Sequence, residues 1–486
     1  METKHWVALV MLIALGSGTV LLTTFSQRLR DYIFFLMAWG AVLGEAGPFD
    51  VNFFGQYWYR GTSRGIGVSV IDALAFAVLV GTLFAPRYPR RPWFIPASVG
   101  LYLLYFIYCI ISVVRAEQWM FGLWELANIP RALLIMLATA AYVRTRKELG
   151  ILVVAIGCGV CVQILYATKQ RFASGMFRPC GTLDHANSLS MYLCLVSPLL
   201  LAAALSDFPK YIRWFSTFCF GLGAFGVLLT LSRMGLPAFG LVTIAVLVAC
   251  TTWRVTRRKV IVGVVSSVLI TVMLAKSWDM LSVRFGSATL REEYMDIEGE
   301  NRGVYWRWAR MIIDDDPFGV GLNNWSYAVS KTYGPRLGFF YEDYDDIKVS
   351  PEKADLPSIR YAPPAHALLA LTLGELGIPG AILFGLIWLR WFQVGATFLW
   401  RRLERDPMHR LGIGILFATS GIFLQSVTEW TFRQPALFLT FHMMLGTLAS
   451  LYYAKSARAR AEAARGQHEI EFEARPMAVA AIQDSH

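Results

Sequence analysis

The chain of 486 residues is 56% hydrophobic and only 16% charged, with a mean hydropathy of +0.48. Soluble domains carry about 25% charged residues, so a soluble globular fold is excluded. The net charge of +11 does not mark a nucleic-acid partner either, because the basic residues fall in short clusters between apolar blocks and on alternate loops, as the positive-inside rule places them on cytoplasmic loops.

Apolar blocks of roughly 17–22 residues, the length a helix needs to cross a bilayer core of about 30 Å, recur along most of the chain. In order they are 6–24, 32–46, 66–85, 94–113, 126–143, 149–167, 186–205, 214–231, 234–252, 260–276, 365–390, 411–428 and 434–453. The first follows Lys4 and has no small-residue cleavage site, so it reads as a transmembrane helix and not a signal peptide. The second is short and the eighth and ninth are nearly continuous, giving a bundle of about 12–14 transmembrane helices in an all-α polytopic membrane protein. Basic clusters such as Arg87, Arg90 and Arg91, or Arg144, Arg146 and Lys147, fix their loops inside. Segments 47–65, 114–125, 168–185 and 277–364 and the turn at 232–233 then face outward, and thirteen spans put the N-terminus outside.

The organisation expected is therefore helices one to ten over 1–276, a loop module over 277–364, helices eleven to thirteen over 365–453, and an inside tail over 454–486, a solvated helix or disorder. Within the loop module, 305–313 is helix-compatible, Asp314-Asp315-Asp316-Pro317 breaks the helix, and Gly319, Gly321 and Asn323 signal turns. Six of the seven cysteines lie inside apolar blocks, where they act as small hydrophobes. Cys158 and Cys161 have CxxC spacing but no second pair, so neither zinc nor redox chemistry is implied. The acidic run at 342–346 reads as a solvated loop in preference to a calcium site.

Three polar groups lie at the outer edge of the bundle. Arg178 through Asn187 leads directly into a helix that Asp184 or Asn187 is placed to cap, near N–H groups that favour an anion. Arg233 stands between two apolar spans with almost no loop around it, a position costing about 2.5 kcal/mol or more if central, so it needs a polar cavity, a partner or an anion. His366 opens the helix after the long loop, where the helix dipole favours the neutral imidazole, a form able to act as a general base. Downstream, Gly374-Glu375-Leu376-Gly377-Ile378-Pro379-Gly380 bends or breaks that helix. Glu429 and Arg433 lie at the outer end of the penultimate helix.

Together these features resemble the O-antigen ligase and O-antigen polymerase superfamily of bacterial membrane glycan transferases. The resemblance covers roughly 150–450. It rests on Arg178, Gly181 and Asn187; on Ser232-Arg233; on Arg302 and Trp306 followed by Pro317, Gly319 and Gly321; and on His366 with Glu375, Gly377 and Gly380. One departure is Ala367, where the family usually has asparagine. Phe53-Phe54-Gly55 to Tyr59-Arg60-Gly61-Thr62 also looks like ligases of exopolysaccharide clusters.

The resemblance implies a GT-C-like inner-membrane enzyme with a periplasmic site, taking a polyprenyl-diphosphate-linked glycan as donor and a hydroxyl on a glycan, lipid A-core or other molecule as acceptor. Transfer is expected to be inverting, with no cofactor and no metal. Because the leaving diphosphate is anionic, arginines suit it. His366, Arg233 and Arg178 are the candidate catalytic residues, and Arg302, Asn187, Glu375, Glu429 and Arg433 the candidate substrate-binding ones. Membrane lipids surround the protein, and no nucleic acid is involved. The alternatives are a polymerase of lipid-linked repeat units, a protein O-glycosyltransferase, or a transporter of the same lipid-linked glycan. A transporter is expected to show repeat symmetry and helices broken at the midplane; the sequence shows no such symmetry, and its polar residues cluster at one face.

Overall fold

In the computed structural model, residues 3–41, 51–56, 59–85, 94–252, 278–286, 302–341 and 362–483 are described, with a few isolated positions between 254 and 275. The expected tenth span at 260–276 and the acidic run at 342–346 lie outside these residues. The helices are α1 (Thr3–Phe25), α2 (Gln27–Gly40), α3 (Val70–Phe84), α4 (Val99–Arg115), α5 (Trp119–Leu126), α6 (Asn128–Tyr142), α7 (Arg146–Thr168), α8 (Ala186–Ala204), α9 (Lys210–Thr230) and α10 (Gly235–Cys250). After these come α11 (Trp278–Gly286), α12 (Gly303–Asp315), α13 (Trp325–Ala328), α14 (Leu368–Ala396), α15 (Pro407–Ser426) and α16 (Pro435–Gln483). Eight described helices are long and apolar enough to cross a membrane, and α3, α4 and α10 are shorter apolar helices. The chain is an all-α polytopic membrane protein.

Polar residues at the helix ends explain several boundaries. Ser26 accepts the Leu29 N–H and starts α2, and Asp72 accepts the Ser69 N–H at 2.8 Å at the start of α3. Thr145 and Glu148 form a reciprocal capping box for α7. Asp406 caps α15 just before Pro407, the one position where proline costs no helical hydrogen bond. The strands β1 (Val51–Phe53) and β2 (Ile66–Val68) pair antiparallel. This small hairpin replaces the beginning of the expected third span at 66–85, whose helix starts at Val70.

The core centres on α8, buried along nearly its whole length between α9, α10 and α15, with α16 closing against α6, α15 and α8. The two ends of the bundle differ. One end is basic: Lys147 and Tyr142 meet Asp31, Arg146 and Arg458 both meet Asp406, and Arg402 reaches the Val248 carbonyl. At the other end the connections 51–69, 116–118, 174–185, 231–234, 302–341, 362–367 and 427–434 converge.

α14 is interrupted at Gly377, whose φ of 65° and ψ of −168° leave the helical region. The break frees two carbonyls. Glu375 O has no intrahelical donor because Pro379 lacks an N–H, and the Ile378 N–H turns to Pro317 O at 2.9 Å, releasing Gly374 O. Val320 N and Gly321 N take these carbonyls, each at 2.9 Å. The Pro317–Gly321 loop is thereby stitched to the broken helix. Gly319, at φ 78°, lies so close to the backbone of Glu375 and Gly377 that any side chain there would collide. A separate apolar cluster of Trp308, Ile312, Trp325 and Val329 packs on Ala370 and Leu371 of α14 and seats α12 over the bundle end.

Candidate active site

Four of the predicted polar residues, Arg178, Asn187, Arg302 and His366, arrive at the loop-rich end from separate connections and converge on Glu429. This carboxylate, in the turn joining α15 to α16, is 7% exposed. Its Oε1 accepts from Asn187 Nδ2 and from an Arg302 Nη, both at 2.8 Å. Its Oε2 lies 3.0 Å from His366 Nδ1. Arg302 also donates to Thr428 O at 2.8 Å. Arg178 donates to Asn187 Oδ1 at 2.6 Å and, through Nε, to Thr230 O at 3.0 Å.

These contacts fix a charge state. Burial by itself would push the Glu429 carboxyl up, but the hydrogen bond to His366, the charges of Arg302 and His366, and the Asn187 amide outweigh it and hold the group below the ordinary glutamate value. An ionised carboxylate only accepts hydrogen bonds. The proton shared with His366 therefore sits on Nδ1, so that when the ring is neutral Nε2 is the nitrogen with the lone pair. His366 is about one-third exposed, so the ring is held on one edge and open on another. Tyr305 packs beside it, ring centres 6.0 Å apart.

One expectation needs correction. Neither Asp184 nor Asn187 caps α8: the cap position is His185, which makes no side-chain cap bond, and Asn187 instead bridges Arg178 to Glu429. His366 immediately precedes the cap residue of α14, Ala367, and its Nδ1 partner is the Glu429 carboxylate. Ala367 is buried, and the side-chain amide in the His366 network comes from Asn187. Arg233 is buried in the 231–234 turn, where Leu231 adopts a left-handed backbone and Ser232 Oγ accepts the Gly235 N–H. The Arg178–Thr230 hydrogen bond ties that turn to the network.

A second buried network adjoins the first through the same connection. Arg433 is ion-paired with Glu375, lies 3.7 Å from Glu125, and donates to Thr62 at 3.4 Å. Burial works against its charge, but Glu375 and Glu125 hold the guanidinium protonated above the ordinary arginine value. Thr62 and Ser63 both donate to Glu125. Asn323 Oδ1 accepts the Thr62 N–H at 2.9 Å, and its amide reaches Ser63 O and Phe121 O. Arg433 and Glu375, both expected to contact substrate, are thus paired with each other.

Glu125, Ser63 and the bonding role of Asn323 are not foreseen from the sequence. Glu125 carried a usable signal, an acid inside the apolar block Trp119-Met120-Phe121-Gly122-Leu123-Trp124-Glu125-Leu126, where ionisable residues mark buried pairs or sites. Among the described residues no group of three or more His, Cys, Asp or Glu is gathered to hold a metal ion.

Residues 218–385 match the model of the O-antigen ligase family. The match runs from within α9 to the middle of α14 and takes in Arg233, Arg302, His366 and Glu375, whereas Arg178, Asn187, Glu429 and Arg433 fall outside it. No curated protein matches the chain. Over this segment, the chain is similar to the O-antigen ligase family.

Proposed function

We propose that the protein is a glycosyltransferase that moves a glycan from a polyprenyl diphosphate to an acceptor hydroxyl at the loop-rich end of the bundle, on the periplasmic side of the inner membrane. The observation that carries this reading is the His366–Glu429 pair at 3.0 Å, set among Arg302, Asn187 and Arg178. Glu429 orients His366 so that Nε2 takes the proton of the acceptor hydroxyl. The acceptor oxygen then bonds to the anomeric carbon as the bond to the diphosphate oxygen breaks, and that electron pair leaves on the diphosphate. A single displacement of this kind inverts the anomeric centre.

The leaving diphosphate gains charge in the transition state and needs cations placed in advance. Arg178, Arg233 and Arg302 are the guanidinium groups assigned to this role. Arginine suits the task because its planar fork pairs with two phosphate oxygens and keeps its charge. Arg433, held between Glu375 and Glu125, has a positioning role in this scheme: it locks the 427–434 connection that presents Glu429.

The test is reconstitution of the purified protein with a polyprenyl-diphosphate oligosaccharide and candidate acceptors, in the presence of chelator. Wild type is expected to release polyprenyl diphosphate and transfer the glycan, and His366→Ala to lose about 10²–10⁴-fold in rate. Transfer to a second lipid-linked glycan in preference to other acceptors would make the protein a polymerase. Movement of intact donor across the bilayer without cleavage would overturn the enzyme reading.

A further inference from the structure

At the basic end, far from Glu429, the connection between α14 and α15 and the membrane end of α16 enclose a cavity of about 260 Å³. Phe398 and Leu451 back the cavity but are each only 1% exposed, and Trp400 stands at its lining. Its walls carry three cations, Arg401, Lys455 and Arg458, against one carboxylate, Glu404. The neighbouring Asp406 pairs with Arg458 at 2.9 Å and with Arg146 at 3.1 Å, which leaves Arg401 and Lys455 against Glu404. Lys455 is fixed in the wall by donating to Thr397 O, with its ammonium 4.9 Å from the Phe398 ring centre. The Arg401 guanidinium makes no hydrogen bond or ion pair among the described residues. Trp400, beside it, is 91% exposed.

We propose that this cavity binds the phosphate headgroup of an anionic membrane lipid, with the glycerol and upper acyl chain lying against the exposed Trp400 and the neighbouring Leu403. The combination of features selects a lipid over free phosphate. An inorganic anion needs only the cations, whereas an exposed indole and leucine beside them match a ligand with a charged head and an oily body. Exposed tryptophans sit at headgroup level in membrane proteins, and basic pockets between helices on the cytoplasmic side recognise anionic headgroups. Arg401 is the cation with capacity left for the phosphate, and Lys455 and Arg458 set the local potential.

The test uses the full-length protein, purified in detergent, stripped of lipid and then offered phosphatidylglycerol, phosphatidylcholine or inorganic phosphate. Bound molecules are counted by native mass spectrometry. One phosphatidylglycerol is expected to be retained in preference to phosphatidylcholine. Arg401→Ala should weaken that retention about fivefold and Arg401→Glu by more. Trp400→Ala should weaken it too, while Arg405→Glu, an exposed change outside the cavity, has a much smaller effect. Thermal unfolding of each variant confirms that the fold is retained. Equal retention of the two lipids, wild-type retention by Arg401→Glu, or binding of phosphate without any lipid preference would each overturn the proposal.

Discussion

A carboxylate that accepts hydrogen bonds from an amide, a guanidinium and an imidazole is stabilised in its charged form, and at Glu429 the consequences are measurable. Because its folded-state pKa lies below the ordinary value of 4.5, its contribution to stability is fully present above that value and is lost as pH falls through the lowered one. The unfolding temperature of wild type is therefore expected to drop as pH falls below about 4, with a smaller drop in Glu429→Gln. The same variant should transfer glycan more slowly than wild type, because an amide no longer selects the Nδ1–H form of His366. Glu429→Asp, which keeps the charge, is expected to recover part of the rate. If Glu429→Gln matches wild type in both assays, the carboxylate has no part in positioning His366. Arg178, Asn187, Arg302, His366 and Glu429 were legible in the sequence because polar residues beside apolar spans stand out. Their convergence was not, since the contacts to Glu429 join residues 63 to 242 positions apart.

At the scale of the element, the break in α14 and the buried pair beside it carry opposite kinds of cost. Gly377→Ala places a side chain at φ 65° against Pro317 O and is expected to destabilise by about 1–3 kcal/mol or more, since this backbone region belongs to glycine. Gly385→Ala, in the same helix with open space around it, should be neutral or stabilising by up to about 1 kcal/mol. Unfolding of the two variants in detergent separates the break from the helix body. Glu375→Ala leaves Arg433 with Glu125 as its remaining carboxylate and is expected to destabilise by less than about 3–5 kcal/mol, the cost of a fully unpaired buried charge. The helix break was readable, because Gly377 and Pro379 sit two residues apart. The hairpin of β1 and β2 was not, because three-residue strands fall below any periodicity that a sequence displays.

For the whole molecule, the contrast between the basic end and the loop-rich end is the property to test. In a Cys180→Ser background, Phe340→Cys, exposed at the loop-rich end, is expected to react in intact cells with a membrane-impermeant maleimide. Arg405→Cys at the basic end is expected to react only after lysis. The reverse pattern would invert the proposed orientation. Hydropathy made the polytopic class and most spans legible, because lipid demands long apolar helices. It said little about the order of packing, since most helices carry apolar residues all round; the centrality of α8 emerges only from its neighbours. One consequence concerns biosynthesis. The chain supplies its site residues across 252 positions, from Arg178 to Glu429, and the anion that gathers them comes last. A nascent chain still short of the final helix pair holds His366 and the arginines without Glu429, so the proposed activity is expected only once α15 and α16 have entered the membrane.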